Sequence, residues 1–257
     1  MTGGARAALA FVALCAAIAP SAWAQDTIPR LRHILPIDYT RIQPFQRAYD
    51  VTVLSGGSTI TIGQRDVALR EAVLADSSAG WLLTETRSGI VPSFDSLFLA
   101  GDLRPVRWTS SLAASHLEVE FGADSLRAVI RGPAGASAAT LEAPPDLLLS
   151  GAMLELVVGL LPLSPAWADS VSVLSADMSG ADVSVMEIVV IGDEPSAPDP
   201  NSPGKWIVAL HAESRELRIW VDKASGAAVR TQQTLPTHTG TMLELRLRES
   251  AEATPPG

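Results

Sequence analysis

The residues of this chain with chemical potential are histidines, carboxylates and a few indoles, and their spacing is the first thing to weigh. The four histidines, His33, His116, His211 and His238, are scattered and share no ligand-like pair spacing. His211 and Glu213 could point from one strand face, but a zinc site needs three or four ligands, so a solvated strand edge is the simpler reading. Carboxylates are plentiful. Asp95, Asp102, Glu118, Glu120, Asp177 and Asp182 could in principle supply the two acids of a glycosidase, although such a pair needs a separation that no sequence gives. Asp177-Met-Ser-Gly180 lacks the Asp-Thr/Ser-Gly spacing of an aspartic-protease turn. Gly-x-Ser-x-Gly, Gly-x-Gly-x-x-Gly, His-Glu-x-x-His and a phosphate loop are all absent from the chain. No nucleophile, base and orienting group can be named together, so the expectation is a non-enzyme without cofactor or metal, and an uncatalogued hydrolase ranks last among the alternatives.

The aromatics suggest binding. Trp81, Trp108, Trp206 and Trp220 all fall in strand-like stretches, where an indole either fills core or lines an apolar pocket. Trp108 and Trp206 are candidate ligand-lining residues. Trp220 alternates out of phase with Leu217, Ile219 and Val221 and shares its face with Arg218 and Asp222, which marks it as a possible contact surface.

The elements that would carry these side chains have a dominant period of two. Leu117, Val119 and Phe121 alternate with His116, Glu118 and Glu120, and Leu217, Ile219 and Val221 alternate with charged residues and Trp220. Leu243, Leu245 and Leu247 repeat the pattern. Such alternation puts the apolar side chains of each strand on one face, as in an antiparallel sheet wetted on the other. Ser55-Gly56-Gly57-Ser58 and Asp222-Lys223-Ala224-Ser225-Gly226 supply hairpin turns. About ten or eleven strands are expected, in a mainly β, strongly curved antiparallel open barrel or half-barrel.

One segment breaks this pattern. Residues 147–161 are apolar almost all round, follow Asp146 as a candidate N-cap and end at Pro162. A helix of this kind must be buried, here as a plug or lid on the concave face of the sheet. Met153, Leu156, Val157 and Leu160 on it join the ligand-lining candidates.

The remaining segments bound the domain. Residues 1–24 read as a signal peptide, with Arg6, a short apolar run and Ala22-Trp23-Ala24 before a cleavage point at Ala24/Gln25. The chain's one cysteine, Cys15, lies in that leader, so disulfides and thiolate sites are not expected. Residues 25–44 form an arm punctuated by prolines, 45–248 a single β-rich domain, and 249–257 a polar tail. Residues 192–204 read as a long Pro-rich hairpin loop. Loss of Arg6 with the leader moves the formal charge from −9 to −10, which argues against nucleic acid and anionic membrane surfaces as partners. The expected location is the periplasm or the medium, with no integral membrane segment after cleavage.

The strand progression resembles a known group. Trp81-Leu-Leu-Thr-Glu-Thr, Asp95-Ser-Leu-Phe-Leu, Leu103-Arg-Pro-Val-Arg-Trp108, the helix end Leu160-Leu-Pro-Leu163 and Leu217-Arg-Ile-Trp-Val-Asp-Lys-Ala-Ser-Gly-Ala-Ala-Val-Arg230 carry the likeness. Together they resemble a bacterial exported family of unknown function akin to the LolA/LolB-like lipoprotein carriers. The resemblance implies an incomplete barrel with helical cover over an apolar concave face, which in the carriers holds acyl chains, and it brings no catalytic residues. The chain departs from that pattern in its Pro-rich loop, residues 194–204, and in having one cover helix. The functional expectation is an envelope protein that binds or carries a lipid-like ligand, with a filled-core structural or protein-interaction module as the alternative.

Overall fold

Alternating side chains build one continuous sheet. The computed structural model describes residues 35–89, 91–177, 180–195, 203–212, 215–235 and 241–248. The leader, His33, Glu213, His238, most of the Pro-rich loop and the tail lie outside the described residues. A first meander comprises β1 (Phe45–Ser55), β2 (Ser58–Val73), β3 (Ala79–Gly89), β4 (Ser93–Ala100), β5 (Pro105–Leu112), β6 (Ser115–Phe121), β7 (Ser125–Gly132) and β8 (Gly135–Glu142). Then come β9 (Leu148–Leu149) and the helix α1 (Ala152–Leu160). A second meander follows through β10 (Ala168–Asp177), β11 (Gly180–Glu194), β12 (Lys205–Ala212), β13 (Arg215–Asp222), β14 (Ala228–Thr234) and β15 (Met242–Leu247). The two meanders join where β1 pairs with β15, placing Tyr49 opposite Leu247 and Val51 opposite Leu245. Neighbours are antiparallel except β9, which pairs with β10 in parallel.

The sheet has 15 strands rather than ten or eleven. The surplus comes from strands with little apolar alternation, such as β8, whose Ala-Ser-Ala-Ala-Thr run is exposed, and from the two-residue β9. The turns match their sequences: Gly56 and Gly57 take φ of 56° and 81° at the β1–β2 hairpin, and Gly226 takes 70° before β14.

The spacing of the strands requires the sheet to curve. In the sheet order, β3 and β9 stand nine strands apart, which on a flat sheet is roughly 43 Å. Yet α1 packs against β3, β9, β13 and β14, and a helix with its side chains is only about 10–12 Å across. The sheet therefore wraps round the helix. Register shifts at Val51/Thr52, Phe98/Leu99, Val190/Gly192 and Trp220/Val221 provide bulges that sharpen this bend. The core lies on the concave side, where Leu69, Leu99, Leu117, Val119, Ile188, Leu210 and Ile219 meet Met153, Leu154, Val157 and Val158 of the helix.

The helix is shorter than its sequence predicts. Gly151, at φ 81°, separates the extended Leu148–Leu149 from Ala152–Leu160 and takes the N-cap position without a side-chain bond. Asp146 serves the sheet instead, accepting from the Ser172 backbone N–H at 3.1 Å and its hydroxyl at 3.3 Å. At the other end the Asp38 N–H donates to the Leu160 carbonyl at 3.0 Å, tying the last part of the arm to the helix. Gly159 lies against the turn before β14. A Cβ there would stand 2.0 Å from the Gly226 carbonyl oxygen, so a side chain cannot be accommodated without moving backbone. Among the described residues no helix is long and apolar enough to cross a membrane.

Candidate functional site

The helix does not fill the curled sheet. Beyond its N-terminus lies an open-mouthed cavity of about 1400 Å³. Strand register sets the chemistry of one wall in rows. Arg87, Ser93 and Leu112 stand across from one another nearest the mouth, and Glu85, Asp95, Ser110 and Leu117 form the next row. Leu83, Leu97, Trp108 and Val119 follow. All but Val119 line the cavity. The second meander supplies Ser175, Asp182, Ser184, Gln233 and Leu243, while Leu149, Gly151, Ala152 and Met153 bring the start of the helix into the lining. A polar band thus lies between an exposed rim and an apolar interior.

Beneath that band is a buried ion network. Arg65, on the same face of β2 as Val67 and Leu69, has a side chain only 2% exposed. Its Nη1 donates to both carboxylate oxygens of Glu155 at 2.8 Å, and its Nη2 donates to Glu85 Oε2 at 2.9 Å. Glu155 also accepts from the Thr231 hydroxyl at 3.1 Å, and Glu85 accepts from Arg87 Nε. The network ties the helix to β2, β3 and β14. Its four charges balance, two of each sign, as burial demands. Burial works against the Arg65 charge, but Glu155 and Glu85 outweigh it and hold the guanidinium protonated. Burial likewise disfavours the Glu85 carboxylate, yet Arg65 and Arg87 bring its pKa below the ordinary value. Tyr49, beneath the Arg65 guanidinium at 5.5 Å, is pushed up to about 12 by burial and by Glu155, and its hydroxyl donates to the Ala228 carbonyl at 2.9 Å.

Asp95 is treated differently. Its pKa is raised, first by burial and further by Glu85, against hydrogen bonds from Ser110 and Trp108 and the charge of Arg87. No cation forms an ion pair with it among the described residues.

The predicted site residues separate into distinct places. Trp108 and Met153 line the cavity. Leu156, Val157 and Leu160 do not: they are 8%, 0% and 5% exposed and pack into the core, because the helix is buried all round and offers the cavity only its first turn. Trp206 lies in a separate recess of about 380 Å³ with Pro165, Ala166 and Ile191, beneath the Lys223 ammonium at 3.9 Å. Trp220 is on the outer face as expected but is not an open contact surface. It is 7% exposed, and Arg230 directly across in register stacks its guanidinium 4.4 Å from the ring centre. Of the carboxylates weighed for catalysis, Asp102 pairs with Arg104 and Glu118 with Arg107 and Arg131 at the surface. Asp95 and Asp182 reach the cavity, and the Asp177 side chain lies outside the described residues. Among the described residues no three His, Cys, Asp or Glu side chains stand together as a metal site.

Arg65, Glu85 and Glu155 were not singled out from sequence, although a signal for them exists. Each is a charge at an apolar position: Arg65 in phase with Val67 and Leu69, Glu85 in phase with Trp81 and Leu83, and Glu155 in an otherwise apolar helix. A charge on a core-facing position needs a partner on another core-facing position.

The geometry defines a β-barrel-like protein with an internal cavity. Among solved structures the chain is similar to a β-barrel-like protein of the domain of unknown function DUF1849 from Brucella abortus, with a TM-score of 0.52, 11% identity, and coverage of 81% of this chain and 97% of that one. At that identity the likeness is one of fold. No family model matches the chain, and no curated protein does.

Proposed function

We propose that this chain is an exported, non-catalytic protein that holds an apolar or lipid-like ligand in the cavity beyond the N-terminus of α1. The observation that carries the reading is the cavity itself, about 1400 Å³ and lined in part by Leu83, Leu97, Leu117, Trp108 and Met153. Binding sites for drug-sized molecules run to about 300–1,000 Å³, so an acyl-sized chain fits. Burying on the order of 300 Å² of such a chain at ~25 cal/mol per Å² gives several kcal/mol, enough for reversible capture. Export is supported by the leader composition, and carriage by the resemblance to the lipoprotein carriers. A structural module with a filled interior agrees less well with a cavity of this size.

The test is titration with N-phenyl-1-naphthylamine, a neutral probe that fluoresces in apolar surroundings. The reading expects saturable binding that weakens at least about tenfold when Ser110→Trp and Ser184→Trp narrow the cavity from opposite walls, a loss of roughly 1.4 kcal/mol. Binding unchanged by both substitutions would place the probe elsewhere and defeat the reading.

A further inference from the structure

The charges that line the cavity do not cancel. Four ionisable side chains reach it: Glu85, Arg87, Asp95 and Asp182. Arg87 is committed to Glu85, and the Arg65 charge beneath is shared between Glu85 and Glu155. Asp95 and Asp182 remain without an ion pair among the described residues, so the lining is left with two uncompensated negative charges. Asp95 stands in the polar row directly outside the apolar row of Leu83, Leu97 and Trp108, with the neutral Ser110 hydroxyl and Trp108 indole as its donors. A carboxylate with no ion-pair partner at the edge of an apolar pocket attracts an ammonium by charge, while the pocket takes the tail.

An anionic head has a poorer place. Arg87 and the uncapped helix start would be its natural partners, but Glu85 already holds Arg87. The Glu85 carboxylate also lies 3.5 Å from where a Cβ on Gly151 would sit, so a second anion there would meet its charge.

We infer that the cavity selects amphiphiles with a cationic, ammonium-type head, seated at Asp95 with the apolar tail along Leu83, Leu97 and Met153; this rests on the ligand-binding reading above. The test is displacement of N-phenyl-1-naphthylamine at pH 7 by dodecylammonium and by dodecanoate, which share a chain length and differ in head charge. The wild type is expected to bind the ammonium about tenfold more tightly, because attraction for one head and repulsion of the other each contribute a few-fold. Asp95→Asn lowers that ratio to about threefold or less. Asp182→Asn, on the wall built by the second meander, lowers it independently and serves if the first variant does not fold. Glu120→Gln removes the same formal charge from the outer face of β6 and leaves the ratio at its wild-type value. Equal affinities, a dodecanoate preference, or a ratio indifferent to both Asp substitutions overturns the inference while leaving the binding reading intact. A ratio that falls equally in Glu120→Gln assigns the effect to overall charge and also overturns it. Failure of the neutral probe to bind at all overturns both.

Discussion

Replacing Arg65 with methionine isolates the interaction that ties α1 to the sheet. The side chain is 2% exposed and makes two contacts of 2.8 Å to Glu155 and one of 2.9 Å to Glu85. Methionine keeps much of the apolar stem but leaves two buried carboxylates. Glu85 retains Arg87, whereas Glu155 retains the Thr231 hydroxyl. Removing one partner of a buried pair costs about 3–5 kcal/mol, because the remaining charge is left without compensation. For a domain of this size that corresponds to a fall in Tm of roughly 6–20 °C. Urea unfolding at pH 7, followed by far-UV circular dichroism, should show the midpoint shift at an unchanged slope. The double variant Arg65→Met/Glu155→Gln removes both charges and is expected to recover half or more of the loss, a coupling that a cycle of single and double variants measures. A loss below about 1 kcal/mol, or a double variant no more stable than Arg65→Met alone, would show that the buried ion pair does not hold α1 to the sheet.

Four further outcomes follow from the structure. Asp95 has a raised pKa, so its folded form favours the proton, and the stability linked to it is full below the unfolded value of 3.8 and lost as pH rises through the folded pKa; Asp95→Asn should therefore raise Tm at pH 7, with the gain vanishing below about pH 4. Glu85 is depressed from 4.5, so its stability is present above that value and lost as pH falls through its lower folded pKa; acid titration of stability should fall less steeply below pH 4.5 in Glu85→Gln than in the wild type. Gly159→Ala should cost about 1–3 kcal/mol in urea, since the new Cβ meets the Gly226 carbonyl oxygen at 2.0 Å. Gly192→Ala, with nothing within 4 Å of its added Cβ, should stay within about 0.5 kcal/mol of the wild type.

Much of the architecture was legible because strand alternation and paired glycines are local signals. Leu117-Glu-Val-Glu-Phe and Leu217-Arg-Ile-Trp-Val specify a one-sided sheet, and Gly56-Gly57 specifies its first hairpin, without reference to the rest of the chain. The strand count was less legible. Ala-Ser-Ala-Ala-Thr in β8 carries no apolar stripe and pairs because β7 presents it with a ladder. The helix start is obscure for a related reason: Leu147-Leu-Leu is equally apolar as strand or helix, and Gly151 at positive φ makes the division. The site was legible in its apolar parts, Trp108 and Met153, and obscure in its polar ones. Arg65, Glu85 and Glu155 come from two strands and a helix, 20 and 90 residues apart from Arg65, so the closure of the sheet round the helix is what unites them. Trp220 shows the converse: its outward phase was readable, but its cover by Arg230 depends on cross-strand register.

Native mass spectrometry of the protein isolated without detergent reads out whether the cavity holds an apolar ligand. We expect a population heavier than the polypeptide by the mass of a lipid-like molecule, released under denaturing spray and depleted in a Ser110→Trp/Ser184→Trp variant. A single mass equal to that of the bare chain, together with no uptake of N-phenyl-1-naphthylamine by the same preparation, would mean that the cavity is not a ligand site.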